Sequence, residues 1–173
     1  MPTGPPLGRP PASRLPGLAT QGVKIVARPE EPIRSAPTAS LSARFAAQRR
    51  EDTKPEVELR RRLHALGLRY RVHFLVPGLP RRRVDIAFTR SRVAVQVDGC
   101  FWHGCPEHCV IPATNKDWWL WKFSVNSERD RDTDRRLAEL GWTALHIWEH
   151  ESPEAAADRV LEALGMRPPA PSS

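Results

Sequence analysis

No stretch of this 173-residue chain is apolar for the roughly 18 residues that a membrane-crossing helix needs. The N-terminus, cut up by prolines, also lacks the apolar centre of a secretory signal, so a soluble intracellular protein is expected. Cysteine is scarce: Cys100, Cys105 and Cys109 are the only three, an odd number crowded into ten residues. Such spacing does not suit the disulfide framework of a secreted protein and points to metal binding. Acidic residues are in the minority, 20 against 27 Lys plus Arg, which leaves a net charge of +7 and favours a polyanionic partner. No internal repeat is visible, and the chain is too short for two domains of ordinary size. One core and one site are expected.

Proline is plentiful where order is not expected. Nine of the eighteen prolines fall in the first 37 residues among Gly, Ser, Thr and Ala, so residues 1–39 read as a disordered arm, with residues 168–173 as a short disordered tail. The domain then spans 40–167, entered through a weakly helical, basic segment at 40–50 that carries Arg44, Arg49 and Arg50. Thr53-Lys54-Pro55-Glu56 supplies an N-cap, a first-turn proline and a capping-box acid. The helix they open has Leu59, Leu63 and Leu66 as its core stripe and stops at Gly67.

Alternation then predicts strands over Leu68-Tyr70-Val72-Phe74, Val84-Ile86-Phe88 and Val93-Val95-Val97. The last two are close enough for a hairpin centred between Arg90 and Ser91; that pair is a poor two-residue turn, so a four-residue turn is the alternative. A capped start at 114–117 opens a charged helical stretch that ends at Gly141, with a possible break near Asn126-Ser127. A fourth strand over 142–148 and a last helix over 153–164 complete an α/β domain, a mixed sheet with helices on its faces.

With the hairpin centred there, Asp85 lies opposite Gln96 on one face, and Asp98, two residues on, shares it. Hard oxygen ligands so grouped suit Mg²⁺, and Glu56 on the preceding helix offers another carboxylate. A carboxylate-held Mg²⁺ can neutralise the charge that develops on an attacked phosphodiester and help deprotonate a water. The competing reading leaves Asp85 paired with Arg82 or Arg83 and Asp98-Gly99 as a plain turn.

The loop after the third strand runs Gly99-Cys100-Phe101-Trp102-His103-Gly104-Cys105-Pro106-Glu107-His108-Cys109. Thiolates and imidazoles suit tetrahedral Zn²⁺, and His150 beyond the fourth strand is a further candidate. Five residues, Cys100, Cys105, His108, Cys109 and His150, compete for four places; Cys100, Cys105, His108 and His150 are favoured, in a structural role. His103 lies between these ligands and is a candidate general base on water, with a satisfied structural histidine as the alternative.

Val84-Asp85, Val97-Asp98-Gly99-Cys100-Phe101-Trp102-His103, Asn126 through Arg131, and Ile147-Trp148-Glu149 together resemble the very short patch repair (Vsr) endonucleases over about residues 40 to 165. The resemblance implies a restriction-endonuclease-like fold, Mg²⁺ at Asp85, an assisting acid at Glu56, His103 as the base and a structural zinc. It also implies aromatic wedges, by motif position Phe101, Trp102 and Trp119, that enter the duplex beside the mismatch. The implied activity is hydrolysis of one strand beside the thymine of a T:G mismatch, the product of 5-methylcytosine deamination. Its implied setting is the bacterial nucleoid, ahead of other repair proteins, with a monomer sufficient for a single nick.

Three features depart from the family pattern. Asp98 stands where the best-known bacterial member has a histidine, the cysteine loop is longer with His150 in place of a cysteine, and Phe45 stands where a methionine is expected. The residues alone leave two rivals, a restriction-like nuclease acting on undamaged duplex and a non-catalytic zinc-stabilised DNA-binding module.

Overall fold

The computed structural model describes residues 30–36 and 51–167. The basic segment at 40–50 with Phe45, the tail at 168–173 and most of the proline-rich arm lie outside the described residues.

Helix α1 (Lys54–Ala65) starts where its sequence suggests, with Thr53 extended and Pro55 in the first turn, but the expected capping box does not form, because the Thr53 side chain makes no hydrogen bond to the helix amides. Glu56 turns back over the helix start, accepting from Thr53 Oγ1 at 2.8 Å and from the Asp52 amide at 3.0 Å. Leu59 and Leu63 are buried, Leu66 is partly so, and Gly67 leaves the helix at φ +79°.

Strand β1 (Arg71–Leu75) starts later than the alternating run, because Leu68 and Tyr70 reach the core from a connection that the Leu68 amide ties to the Leu63 carbonyl. Strands β2 (Arg83–Phe88) and β3 (Val93–Asp98) form the hairpin, with Ile86 opposite Val95 and Phe88 opposite Val93. This is the register of a turn centred between Arg90 and Ser91; the turn uses four residues, 89–92, with Arg92 at φ +54°. Strand β4 (Thr143–Trp148) pairs parallel to β3, giving a mixed sheet in the order β1-β2-β3-β4.

Between β3 and β4 runs helix α2 (Lys116–Glu139), 24 residues without interruption. The expected break near Asn126-Ser127 does not occur: Asn126 is buried, and its side-chain amide donates to the Trp102 carbonyl at 2.8 Å, not to its own backbone. The chain closes with α3 (Pro153–Ala163), capped by Ser152 Oγ accepting from the Ala155 amide at 3.2 Å.

Two apolar clusters hold the layers. In the larger, Leu59 and Leu63 of α1 and Ala156, Ala157 and Val160 of α3 meet Ile86, Phe88, Val93, Val95 and Ile147 of the sheet. In the smaller, Leu137 of α2 meets Ala87 and Ala94 with Val76 and Val84, and Phe74 stacks on Trp142 at 5.3 Å. The small alanines let α2 lie close to the sheet, which brings its acidic residues within reach of the strand ends.

Candidate active site and metal centre

The carboxylates that the hairpin was expected to gather are at the C-terminal end of β3 and its neighbour. Asp85 Oδ2 accepts from the Val97 amide at 2.7 Å, and its other oxygen has no donor among the described residues. Burial pushes the Asp85 carboxyl up to about 6; the Val97 amide opposes the shift, and the charges of Glu56 and Asp98 add to it. An acid so placed gains most from a bound cation. Glu56 is buried and has both oxygens engaged at the start of α1. Gln96 Nε2 is enclosed and unpaired among the described residues, at a cost of about 1–3 kcal/mol.

Asp98 faces two imidazoles. Its Oδ2 lies 2.7 Å from His146 Nδ1, and its Oδ1 lies 3.9 Å from His103 Nδ1. His103 has a nearer partner, Asp130 Oδ2 at 3.0 Å. Burial alone would push the His103 pKa down, but the Asp130 hydrogen bond and the charges of Asp98 and Asp130 hold it above its usual value. His146 also meets Asp134 at 3.1 Å, and the Asp98 bond, opposed by burial and aided by Asp134, raises its pKa to about 9.

The structure brings Asp85, Asp98, Glu56 and His103, the residues expected from sequence, into one region and adds Asp130, Asp134 and His146, which the sequence did not single out. Asn126, Asp130 and Asp134 are four apart on α2, and that stripe was the available signal. Each member holds a different piece of the site: the Trp102 carbonyl, His103 and His146.

Phe101, Trp102, Trp118, Trp119, Trp121 and Phe123 form one cluster, joined to the acids and imidazoles through Trp102 and Asn126. Phe101 lies edge-on to Trp102 at 5.4 Å, to Trp119 at 4.9 Å and to Phe123 at 5.7 Å. Trp119 is buried within the cluster, whereas Phe101 and Trp102 are half-buried. Residues 30–36, inside the arm expected to be disordered, lie along the start of α2. Ser35 and Asn115 exchange hydrogen bonds of 2.9 and 3.1 Å, Glu31 accepts from Trp118 Nε1 at 2.8 Å, and the Arg34 guanidinium covers the Trp118 ring at 4.5 Å.

The second cluster is built of sulfur and nitrogen. One ligand atom each of Cys100, Cys105, His108 and His150 lies within 4.8 Å of the others. Cys100 Sγ is 3.1 Å from His150 Nδ1, and Cys105 Sγ is 3.8 Å from both His108 Nδ1 and His150 Nδ1. A tetrahedral zinc with bonds of about 2.3 Å to sulfur and about 2.0–2.1 Å to nitrogen sets its ligand atoms roughly 3.3–3.8 Å apart, so the donor set and spacing fit. Burial, with Cys105 adjacent, pushes the Cys100 thiol up to about 12, a proton that a cation would displace. Cys109, the fifth candidate, turns its Sγ to the Phe101 carbonyl at 3.8 Å and stands outside the group. Glu149 Oε1 accepts from the Cys100 amide at 2.6 Å, fastening the loop to the end of β4.

With this geometry in hand, the comparisons with known proteins fall into place. The family described as DNA mismatch endonuclease Vsr matches residues 37–110. The chain is 44% identical over 129 residues to the Type II nicking enzyme V.NaeI of Lentzea aerocolonigenes, a match covering 73% of this chain and 77% of that protein. It is 40% identical over 116 residues to the DNA mismatch endonuclease Vsr of Escherichia coli strain K12, covering 65% of this chain and 69% of that protein. Among solved structures, the Homing Endonuclease I-Bth0305I Catalytic Domain aligns at 18% identity and a TM-score of 0.45 over 65% of this chain and 94% of that one, a likeness too loose to carry an argument. The chain belongs to the Vsr family of DNA endonucleases. Among the described residues, no helix is long and apolar enough to cross a membrane.

Proposed function

We propose that this protein is a Mg²⁺-dependent endonuclease with a restriction-endonuclease-like core that hydrolyses one phosphodiester beside the thymine of a T:G mismatch and so opens very short patch repair. The observation that carries the reading is the pairing of a buried carboxylate in need of a cation, Asp85, with a carboxylate-held imidazole, His103, next to an aromatic cluster.

Asp85 offers its open oxygen, and Mg²⁺, which keeps most of its waters and takes one or two carboxylates plus a substrate phosphate, would supply charge neutralisation for the attacked phosphorus. Asp130 holds His103 at Nδ1, which leaves Nε2 as the atom that takes a proton from the attacking water. Glu56 adds negative charge near Asp85 and stiffens the start of α1. Cys100, Cys105, His108 and His150 would hold Zn²⁺ structurally and keep the loop that carries Phe101, Trp102 and His103 in one shape. Phe101 and Trp102 present partly exposed rings for insertion beside the mismatch, with Trp119 backing them. The excess of Lys and Arg draws in the phosphate backbone. A monomer suffices for one nick, and the product is handed to other repair proteins at the bacterial nucleoid.

The test is cleavage of end-labelled duplexes carrying T:G or matched C:G, in Mg²⁺ or in EDTA. A Mg²⁺-dependent nick in the thymine strand of the mismatched duplex alone is expected. Cutting of both duplexes would make this a nuclease for undamaged DNA, and binding without cleavage a non-catalytic module.

A further inference from the structure

Two carboxylates face the single Nδ1 of His103, and only one can hold it. Asp130 is at 3.0 Å and Asp98 at 3.9 Å. Asp98 is nearly enclosed, with 11% of its side chain exposed, so solvent does little to satisfy it, and its other oxygen is committed to His146 Nδ1 at 2.7 Å. His146 in turn has Nε2 on Asp134 at 3.1 Å, and its own carbonyl accepts from Arg159 at 2.9 Å, which fixes β4 at this point. The five side chains Asp134, His146, Asp98, His103 and Asp130 therefore alternate acid and imidazole, leaving α2 at one end and returning to it one turn earlier.

We propose that His146, clamped by Asp134, is a positioning residue for the nicking reaction: it holds Asp98 back so that Asp130 alone orients His103. The inference rests on the endonuclease reading given above. Both nitrogens of the His146 ring face carboxylates, so both donate, and Asp98 Oδ2 is the acceptor of one of them. Without the His146 ring, a nearly enclosed Asp98 has no strong side-chain donor left among the described residues except His103 Nδ1. The imidazole is then pulled from Asp130 toward Asp98, and Nε2 swings away from the attacking water. An ordinary surface ion pair would do nothing of the kind, because such pairs contribute little and influence no third group.

The experiment measures steady-state nicking of the T:G duplex in Mg²⁺ by the full chain carrying His146→Ala, Asp98→Asn, both together, or Asp134→Asn, with duplex affinity and thermal melting recorded for each. Loss of kcat by about 10- to 100-fold with KM within about twofold is expected for His146→Ala, as for other groups that orient a reacting one. The double variant should be no slower than Asp98→Asn alone, because the competing carboxylate is gone. Asp134→Asn, at a half-exposed position, should lose about 3- to 10-fold and serves if His146→Ala does not fold. Unchanged kcat in His146→Ala and Asp134→Asn, or losses that multiply in the double variant, would overturn the proposal. Should the wild-type chain leave the T:G duplex uncut, the endonuclease reading fails while the clamp is still decided by the imidazole ¹⁵N–¹H spectrum. A His103 Nδ1 proton signal that moves on His146→Ala or Asp134→Asn upholds the clamp, and one that stays refutes it.

Discussion

His103 and His146 are held by aspartates, while His108 and His150 are held by cysteines. Carboxylates raise the affinity of an imidazole for its proton, and both His103 and His146 bind theirs more tightly than a free histidine. Thiolates around a cation demand a neutral ring, whose lone pair is the ligand. The same side chain thus becomes a proton carrier or a metal ligand according to the group that reaches it. The acidic region carries a cost, since Asp85 is buried among like charges.

That contrast can be broken at its strongest point. Asp85→Asn should reduce nicking by more than about 10³-fold while leaving zinc content and duplex binding intact. In EDTA the same variant should melt a few degrees higher than wild type near neutral pH. The folded Asp85 holds its proton up to about 6 against 3.8 for the free acid, so its ionised form costs stability above that range. A variant with lowered melting and full activity would refute both halves. On the sulfur side, Cys105→Ser or prolonged chelation should lower the melting temperature by roughly 10 °C, with activity lost only as the loop loosens. Zinc analysis alongside calorimetry checks this, and an unchanged melt would remove zinc from the account.

A milder change sharpens the comparison within the acidic region. Asp130→Asn should lower kcat by about 10²-fold without changing zinc content, as a base deprived of its orienting acid. The smallest effect concerns pH. Folded His146 keeps its proton to about 9 against 6.5 for a free histidine, so its stabilisation is complete below about 6.5 and lost as pH rises through 9. Because the ring is partly exposed, the change is about 1–2 kcal/mol after screening, and urea titrations of wild type and His146→Gln should converge above pH 9.

Much of this is legible in the sequence, and the reasons are local. The hairpin register follows from alternation around one turn, and it alone set Asp85, Gln96 and Asp98 on a common face. The grouping of Cys100, Cys105, His108 and His150 follows from residue chemistry, and the sulfur of Cys109 turns toward Phe101, outside that group. His146 was invisible because it sits in an apolar strand 48 residues from Asp98, and no spacing rule spans that distance. Asp130 and Asp134 look like a solvated helix face until the alanines of β2 and β3 draw α2 against the sheet. The break expected at Asn126-Ser127 rested on weak helix propensity, which a buried amide bonded to Trp102 overrides. Leu68 and Tyr70 alternate like a strand yet pack from a connection, and β1 begins only at Arg71.

The unbroken α2 acts as a ruler with one division per turn. From the tryptophans at its start to Asp134 it fixes, in a single piece, how far the aromatic cluster stands from His103 and His146. A residue inserted between Trp119 and Asp134 would turn everything beyond it by about 100° and point the aspartates at solvent. Between these two marks the number of residues, more than their identity, sets the separation of the aromatic cluster from the two imidazoles.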